Sequence, residues 1–181
     1  MTSPIFVDTE FTSLKKPQLI SIAMICGEHE FYRELSDFDA ARCSPFVVTY
    51  VLPHLSAPAQ RKNKKEVASE VGRWIDELEV HCYLVSDAPH KDMPLVSRLL
   101  QEWPARLSQT VVWFPTQGER TEWSEDRHQH RVIARMVEVT YQTALKNGQA
   151  HHALNDARAL AAAWKTALVW GWTPPELSDK R

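Results

Sequence analysis

Three short runs of β-forming residues fill the first 35 positions, and beyond residue 63 the apolar pattern changes to a helical period. That switch is the strongest restriction on what the chain can fold into. Ile5–Asp8 is a short apolar run, Gln18–Cys26 (QLISIAMIC) is rich in β-formers and stops at Gly27, and His29–Leu35 alternates Phe31, Arg33 and Leu35 with polar neighbours. Joined by short polar connections, the three predict an antiparallel meander. Ser44-Pro45 opens a short helix through Leu52, with proline in its first turn and Pro53 closing it. Asn63 and Glu66 have capping-box spacing, after which Val67, Val71, Trp74, Ile75 and Leu78 fall on one helical face. Cys82–Ser86 then reads as a buried strand, Asp92–Trp103 as a helix, Thr110–Phe114 as a strand, and Val132–Leu145 and Asn155–Val169 as two final helices. Gly118–His130, polar and rich in charge, predicts the most mobile loop. Strand–helix alternation after a meander implies one α/β domain over residues 1–181, with a mixed five-stranded sheet whose later strands run parallel.

Composition narrows the classes of function. Apolar residues make up 44% of the 181, enough for a sizeable core, and the net charge is only -2. Sequence-independent phosphate binding needs many Lys and Arg contacts, so a basic nucleic-acid coat is excluded, whereas a nucleic acid gripped locally is not. The three cysteines, Cys26, Cys43 and Cys82, are dispersed and contain no CxxC. Neither a disulfide framework nor a thiolate zinc site is expected, and a reducing cytoplasm suits them. The opening residues lack a basic region followed by an apolar run, so no signal peptide is expected, and no stretch is apolar enough for a membrane helix.

Three acidic motifs carry the chemistry. Asp8 and Glu10, two apart on a strand, point to one face, a repulsive arrangement that a cation relieves. Their hard oxygen donors suit Mg²⁺ or Mn²⁺; taken alone the triplet is also a solvated strand end. Asp92 follows a buried strand and opens a helix, so it is either an N-cap or a functional group aimed at the end of the sheet. Asp156 begins an apolar helical stripe with Leu160 and Trp164, preceded by His151 and His152. Again there are two readings: Asn155 or Asp156 caps the helix, or an acid and a histidine base stand ready for a water. Strand ends and helix starts of such a sandwich can converge on one edge. Four carboxylates and a histidine there would equip it for two-metal phosphodiester hydrolysis.

In these motifs the chain resembles the DEDDh superfamily of 3′–5′ exonucleases, and its element order resembles their ribonuclease H-like architecture. Asp8 and Glu10 in FVDTEFT match the first motif, Asp-x-Glu. Asp92 matches the last residue of the second, Asn-x-x-x-aromatic-Asp, but Asp87 stands at the Asn position and Lys91 at the aromatic one. His151, Ala153 and Asp156 match the third, His-x-Ala-x-x-Asp. YVLPHL and DTEF are similar to the compact bacterial and phage exoribonuclease-like domains. The resemblance implies two Mg²⁺ or Mn²⁺ ions held by Asp8, Glu10, Asp92 and Asp156, with His151 as general base. Thr9 and Phe11 would bind the 3′-terminal nucleotide, Phe11 by stacking unless it is plain core. Helix geometry favours His152 instead of His151, because His152 lies four before Asp156; the family spacing selects His151. The substrate implied is the 3′ end of single-stranded RNA. A DNA exonuclease is the rival enzyme, and a non-catalytic nucleic-acid or protein-binding module the rival from another class.

Other features have blander readings. Arg61-Lys62-Asn63-Lys64-Lys65 is a solvated helix entrance or a phosphate-steering run, and Lys15-Lys16 could approach the strand being cut. His128-Gln129-His130 reads as surface histidines. Trp74, Trp103 and Trp164 have core spacing, while one of Trp113, Trp123, Trp170 and Trp172 would suit the interface of a homodimer.

Overall fold

The structure, a computed structural model, describes residues 2–116, 126–147 and 150–175. β1 (Thr2–Phe11), β2 (Leu19–Cys26) and β3 (His29–Glu34) form the antiparallel meander. β4 (His81–Ser86) and β5 (Leu107–Trp113) add parallel strands on the other side of β1, so the five-stranded sheet has the order β3-β2-β1-β4-β5. β1 outruns the apolar stretch that announces it because it is paired on both flanks. β4 holds Thr2 to Phe6, and β2 holds Phe6 to Phe11. Past Phe6 it has no strand partner on the β4 side among the described residues, which leaves Asp8 and Glu10 at an open strand end.

Helices cover both faces. The short α1 (Pro45–Tyr50) is capped by Ser44, whose hydroxyl accepts from the Val47 N–H at 3.3 Å. α2 (Lys64–Glu77) begins with the full capping box, the Asn63 side chain and Glu66 each accepting from the other's backbone N–H. α3 (Pro89–Leu100) starts three residues before the expected Asp92 and stops short of Trp103, because Pro89 takes the first helical position, where its fixed φ is already helical. α4 (Arg127–Asn147) and α5 (Ala153–Val169) complete the fold. His128, Gln129 and His130 lie in the first turn of α4 and not in a loop. Residues 118–125 of the expected mobile segment, Trp123 among them, lie outside the described residues.

Strand alternation divides the core into two layers. Phe6, Ala23, Ile25, Tyr83 and Val85 pack with α4 and α5, where Trp164 meets Phe6 edge-on and Trp172 packs against Trp164 and Phe114. Ile5, Val7, Ile22, Met24 and Leu84 pack with α2 and α3 on the opposite face. Even positions of β1 therefore face α5 and odd positions face α3. Among the described residues no helix is long and apolar enough to cross a membrane.

Candidate active site

The β1 alternation sends Asp8 and Glu10 toward α5, and α5 supplies Asp156. Asp156 does not cap its helix. The N-cap is His152, which makes no side-chain capping bond, and Asp156 lies four residues later, with its N–H bonded to the His152 carbonyl. A side chain there leans back over the first turn, toward the end of the sheet. Asp92 stands in the same register on α3, four residues after the uncapped Ala88. The N-cap expectation is thus wrong for both acids, for one geometric reason: each sits one turn inside its helix.

His151 reaches the carboxylates through its backbone. It adopts a left-handed conformation with φ 63, outside the helix, and its N–H donates to Asp156 Oδ2 at 3.2 Å. Such a conformation costs roughly 1–2 kcal/mol for a residue other than glycine. Donor atoms of Glu10, His151 and Asp156 come within 4.8 Å of one another. His152 turns away and stacks on Tyr32, ring centroids 4.6 Å apart, with its Nδ1 buried and lacking a hydrogen bond. The i,i+4 argument for His152 does not apply because neither histidine lies within the helix.

Asp92 arrives from the opposite face. It is 3% exposed, and its two oxygens accept from Thr9 Oγ1 at 2.6 Å and Ser86 Oγ at 2.5 Å. Thr9 is itself buried, and its hydroxyl donates to Asp92. Phe11 is half-buried: it packs against the core layer of α2 and α3 and also lines a cleft of about 400 Å³ with Leu14, Pro17, His90, Lys91 and Pro94. Asp87, just past the end of β4, is the acid that sequence reasoning did not place in the site. Its Oδ2 accepts from Thr116 Oγ1 at 3.1 Å and Tyr141 Oη at 3.3 Å, on the α4 side. Its place at the Asn position of the second motif was the available signal. The basic run has structural partners: Arg61 donates to the Ser56 carbonyl, and Lys62 and Arg33 both pair with Glu70.

The site strains against its own charge. Asp8 is raised well above the ordinary carboxylate range, by burial first and then by Asp92, Asp156, Glu10 and Asp87. Burial, then Asp156 and Asp92, push Glu10 up to about 8. Asp156 rises to about 7 through burial, opposed by the His151 N–H. Asp92 rises to about 6 through burial, opposed by its two hydroxyl donors. Burial and then His54 hold His151 below the usual imidazole value, which favours the uncharged ring. Asp156 Oδ1 is buried with no hydrogen-bond partner. An unpartnered oxygen among repelling hard donors fits a divalent cation that prefers oxygen ligands.

One consequence is a pH dependence of stability. For Glu10 the folded value of about 8 lies above the ordinary 4.5, so between them the folded protein holds a proton that the unfolded chain has released. Stability of the metal-free protein therefore falls as pH rises through that interval. Glu10→Gln removes this dependence. Its melting temperature relative to wild type is expected to climb from about pH 5 to about pH 8.5, a gain that excess Mn²⁺ cancels by stabilising only the wild type. Parallel melting curves across that range would show that Glu10 is not the titrating group.

No protein-family model and no curated protein matches the chain. Solved structures do resemble it. The nuclease domain of 3'hExo, a DEDDh family member bound to rAMP, superposes with a TM-score of 0.64 at 14% identity, covering 98% of this chain and 96% of that one. A 3'-exonuclease that recognises the histone mRNA stem-loop gives 0.61 at 14% identity over 94% and 82% of the two chains. Cell-death related nuclease 4 gives 0.58 at 12% identity over 94% of this chain and 64% of that one. The architecture is thus the ribonuclease H-like α/β fold, a mixed five-stranded sheet flanked by helices. The neighbours that share it are nuclease domains, including one described as a DEDDh family member.

Proposed function

We propose that this chain is a DEDDh-type, metal-dependent 3′–5′ exonuclease that hydrolyses phosphodiester bonds at single-stranded 3′ ends, RNA in preference to DNA. The observation that carries the reading is the gathering of Glu10, His151 and Asp156 within 4.8 Å, beside Asp8, on a fold shared with nuclease domains. Asp8, Glu10, Asp92 and Asp156 would hold two Mg²⁺ or Mn²⁺ ions. When bound, such ions polarise the phosphate and make water more acidic. His151, its uncharged ring favoured by burial and placed beside Glu10 and Asp156, takes the proton from the attacking water. Its left-handed backbone and the Asp156 contact fix its direction. The Phe11 cleft, with Lys91 and His90 on its wall, receives the terminal nucleotide. The RNA preference and kinship with the compact bacterial and phage exoribonuclease-like domains rest on DTEF and YVLPHL. A reducing cytoplasm suits the dispersed cysteines. End-labelled RNA and DNA oligonucleotides incubated with Mn²⁺ test the reading. Shortening from the 3′ end is expected, faster for RNA, and intact strands of both kinds would refute it.

Asp92 separates a metal role from a structural one. In Asp92→Asn the amide can still engage the Thr9 and Ser86 hydroxyls, since each hydroxyl donates or accepts. The melting temperature without metal should change little or rise, while activity falls steeply and excess Mn²⁺ partly restores it. Normal hydrolysis by Asp92→Asn would transfer the role to Asp87, and Asp87→Asn would then show the loss.

A further inference from the structure

Arg61 and Lys62 of the basic run have structural partners, but Lys64 and Lys65 open onto a groove that the reading above leaves unused. The Phe11 cleft shares Pro17 and Leu95 with a second cavity of about 220 Å³, which has Lys64 and Arg98 on its walls. That cavity shares Asp37, Lys64 and Leu99 with a third of about 440 Å³, which reaches Lys65 and Gln101. Cavities with common walls form one groove along α3. It starts at the first turn of that helix, where Asp92 stands, and runs away from the carboxylates to the C-cap Gln101. At about 1.5 Å per residue, its floor from Lys91 to Gln101 is about 15 Å long, several times the roughly 3.4 Å between phosphates of a stacked strand.

The charge of this groove is the reverse of the chain's. The protein carries a net charge of -2, yet the groove walls hold Lys64, Lys65, Lys91 and Arg98 against one acid, Asp37. Among the described residues none of these four cations forms an ion pair. Asp37 is engaged already, its Oδ2 accepting from the Lys64 N–H at 3.0 Å. Arg98 donates to the Pro94 and Pro17 carbonyls at 2.7 and 3.4 Å, which holds its guanidinium at the junction of the first two cavities with N–H groups to spare. A cationic channel with buried Leu95 and Leu99 in its floor suits a single-stranded polyanion, and it continues from the place where the terminal nucleotide is received.

We propose that the groove is a track for the strand on the 3′ side of the scissile bond. The Phe11 cleft takes the first nucleotide past the cut, Arg98 and Lys64 receive the next phosphate, and Lys65 the one after it. The site then hydrolyses linkages several nucleotides in from the end as well as the last one, and it needs no free 3′ end. The step is the same at an internal linkage. Water adds to phosphorus and gives up a proton, the P–O3′ bond breaks, and the departing O3′ takes a proton. The fragment in the groove leaves with a 5′-phosphate. This rests on the hydrolytic reading of the site and extends it beyond strand ends.

The test gives the full chain, with Mn²⁺, two single-stranded RNAs of one sequence: a linear strand labelled in its last nucleotide and a covalently closed circle. Wild type should release labelled short oligonucleotides besides mononucleotides, and should cut the circle within about a hundred-fold of the linear rate. Lys64→Gln/Lys65→Gln, which leaves the carboxylates and the Phe11 cleft untouched, should keep mononucleotide release and cut the circle about ten-fold more slowly or worse. Its rate on the circle should also depend less steeply on log salt, by about 1.4, since each phosphate contact on a single strand contributes about 0.7. Mononucleotides alone and an intact circle, with the linear strand shortened normally, would refute the track and leave the exonuclease standing. So would an equal loss on both RNAs, or no loss on either, in the lysine variant. Circle cutting that survives Asp8→Asn while strand shortening is lost comes from elsewhere and also refutes the track. If wild type cuts neither RNA, the hydrolytic reading falls and the track with it.

Discussion

Asp8→Ala is expected to reduce hydrolysis by at least about 10³-fold, the loss that the proposed two-metal reading requires when one of its four carboxylates is removed. Its fold should survive, and without divalent ions its melting temperature should equal or exceed that of wild type. Asp8 stands at the end of β1 with charge from Asp92, Asp156, Glu10 and Asp87 bearing on it, and burial already disfavours its ionised form. Removing it relieves that repulsion. With Mn²⁺ the ranking should reverse, since ions that bind only the folded site stabilise the wild type. Asp8→Asn, nearly identical in shape, separates charge from volume. Turnover within about ten-fold of wild type in either variant would sink the two-metal reading.

Second in size is the loss expected on truncating His151. His151→Ala should slow hydrolysis by about 10²–10⁴-fold, the usual contribution of a positioned base. Wild-type rate should rise with pH as the imidazole loses its proton, with a midpoint below the usual histidine value because burial and His54 disfavour the charged ring. The variant should lack that limb. His152→Ala opens a gap beside Tyr32 and should affect melting temperature more than rate. The reverse result, with the large kinetic loss at His152, would show that the third motif is read one residue out of register.

The order of elements was legible because each strand and helix declares its period locally. The Asn63–Glu66 capping box and the Ser44-Pro45 helix start are cases in which a few adjacent residues determine the outcome. Helix boundaries at the acids were not legible. Asp92 and Asp156 look like caps because carboxylates favour that position, yet an N-cap with no side-chain bond, Ala88 or His152, precedes each of them. Also hidden was the face from which each acid approaches. Strand alternation puts Asp8 and Glu10 together, but only the packing of α3 reveals that Asp92 comes from the other side and is held by Thr9 and Ser86. Asp87 depends on Tyr141, 54 residues away, and the Phe46 and Tyr50 rings of α1 meet a left-handed His151. Long-range pairings of this kind leave no periodic trace.

Asp92 rides on the α2–α3 layer, Asp156 on the α4–α5 layer, and Asp8 and Glu10 on the sheet between them. The acids therefore act as a caliper across the sandwich. Repacking of either layer, however far from the edge, alters the gap between its jaws. Drift in the sequence of one layer is thus answerable to the other, even though the two apolar clusters lie on opposite faces of the sheet. On the proposed reading, shortening Leu99 or Leu160 would alter the spacing of the acids as well as open a gap in the hydrophobic interior in which they are buried.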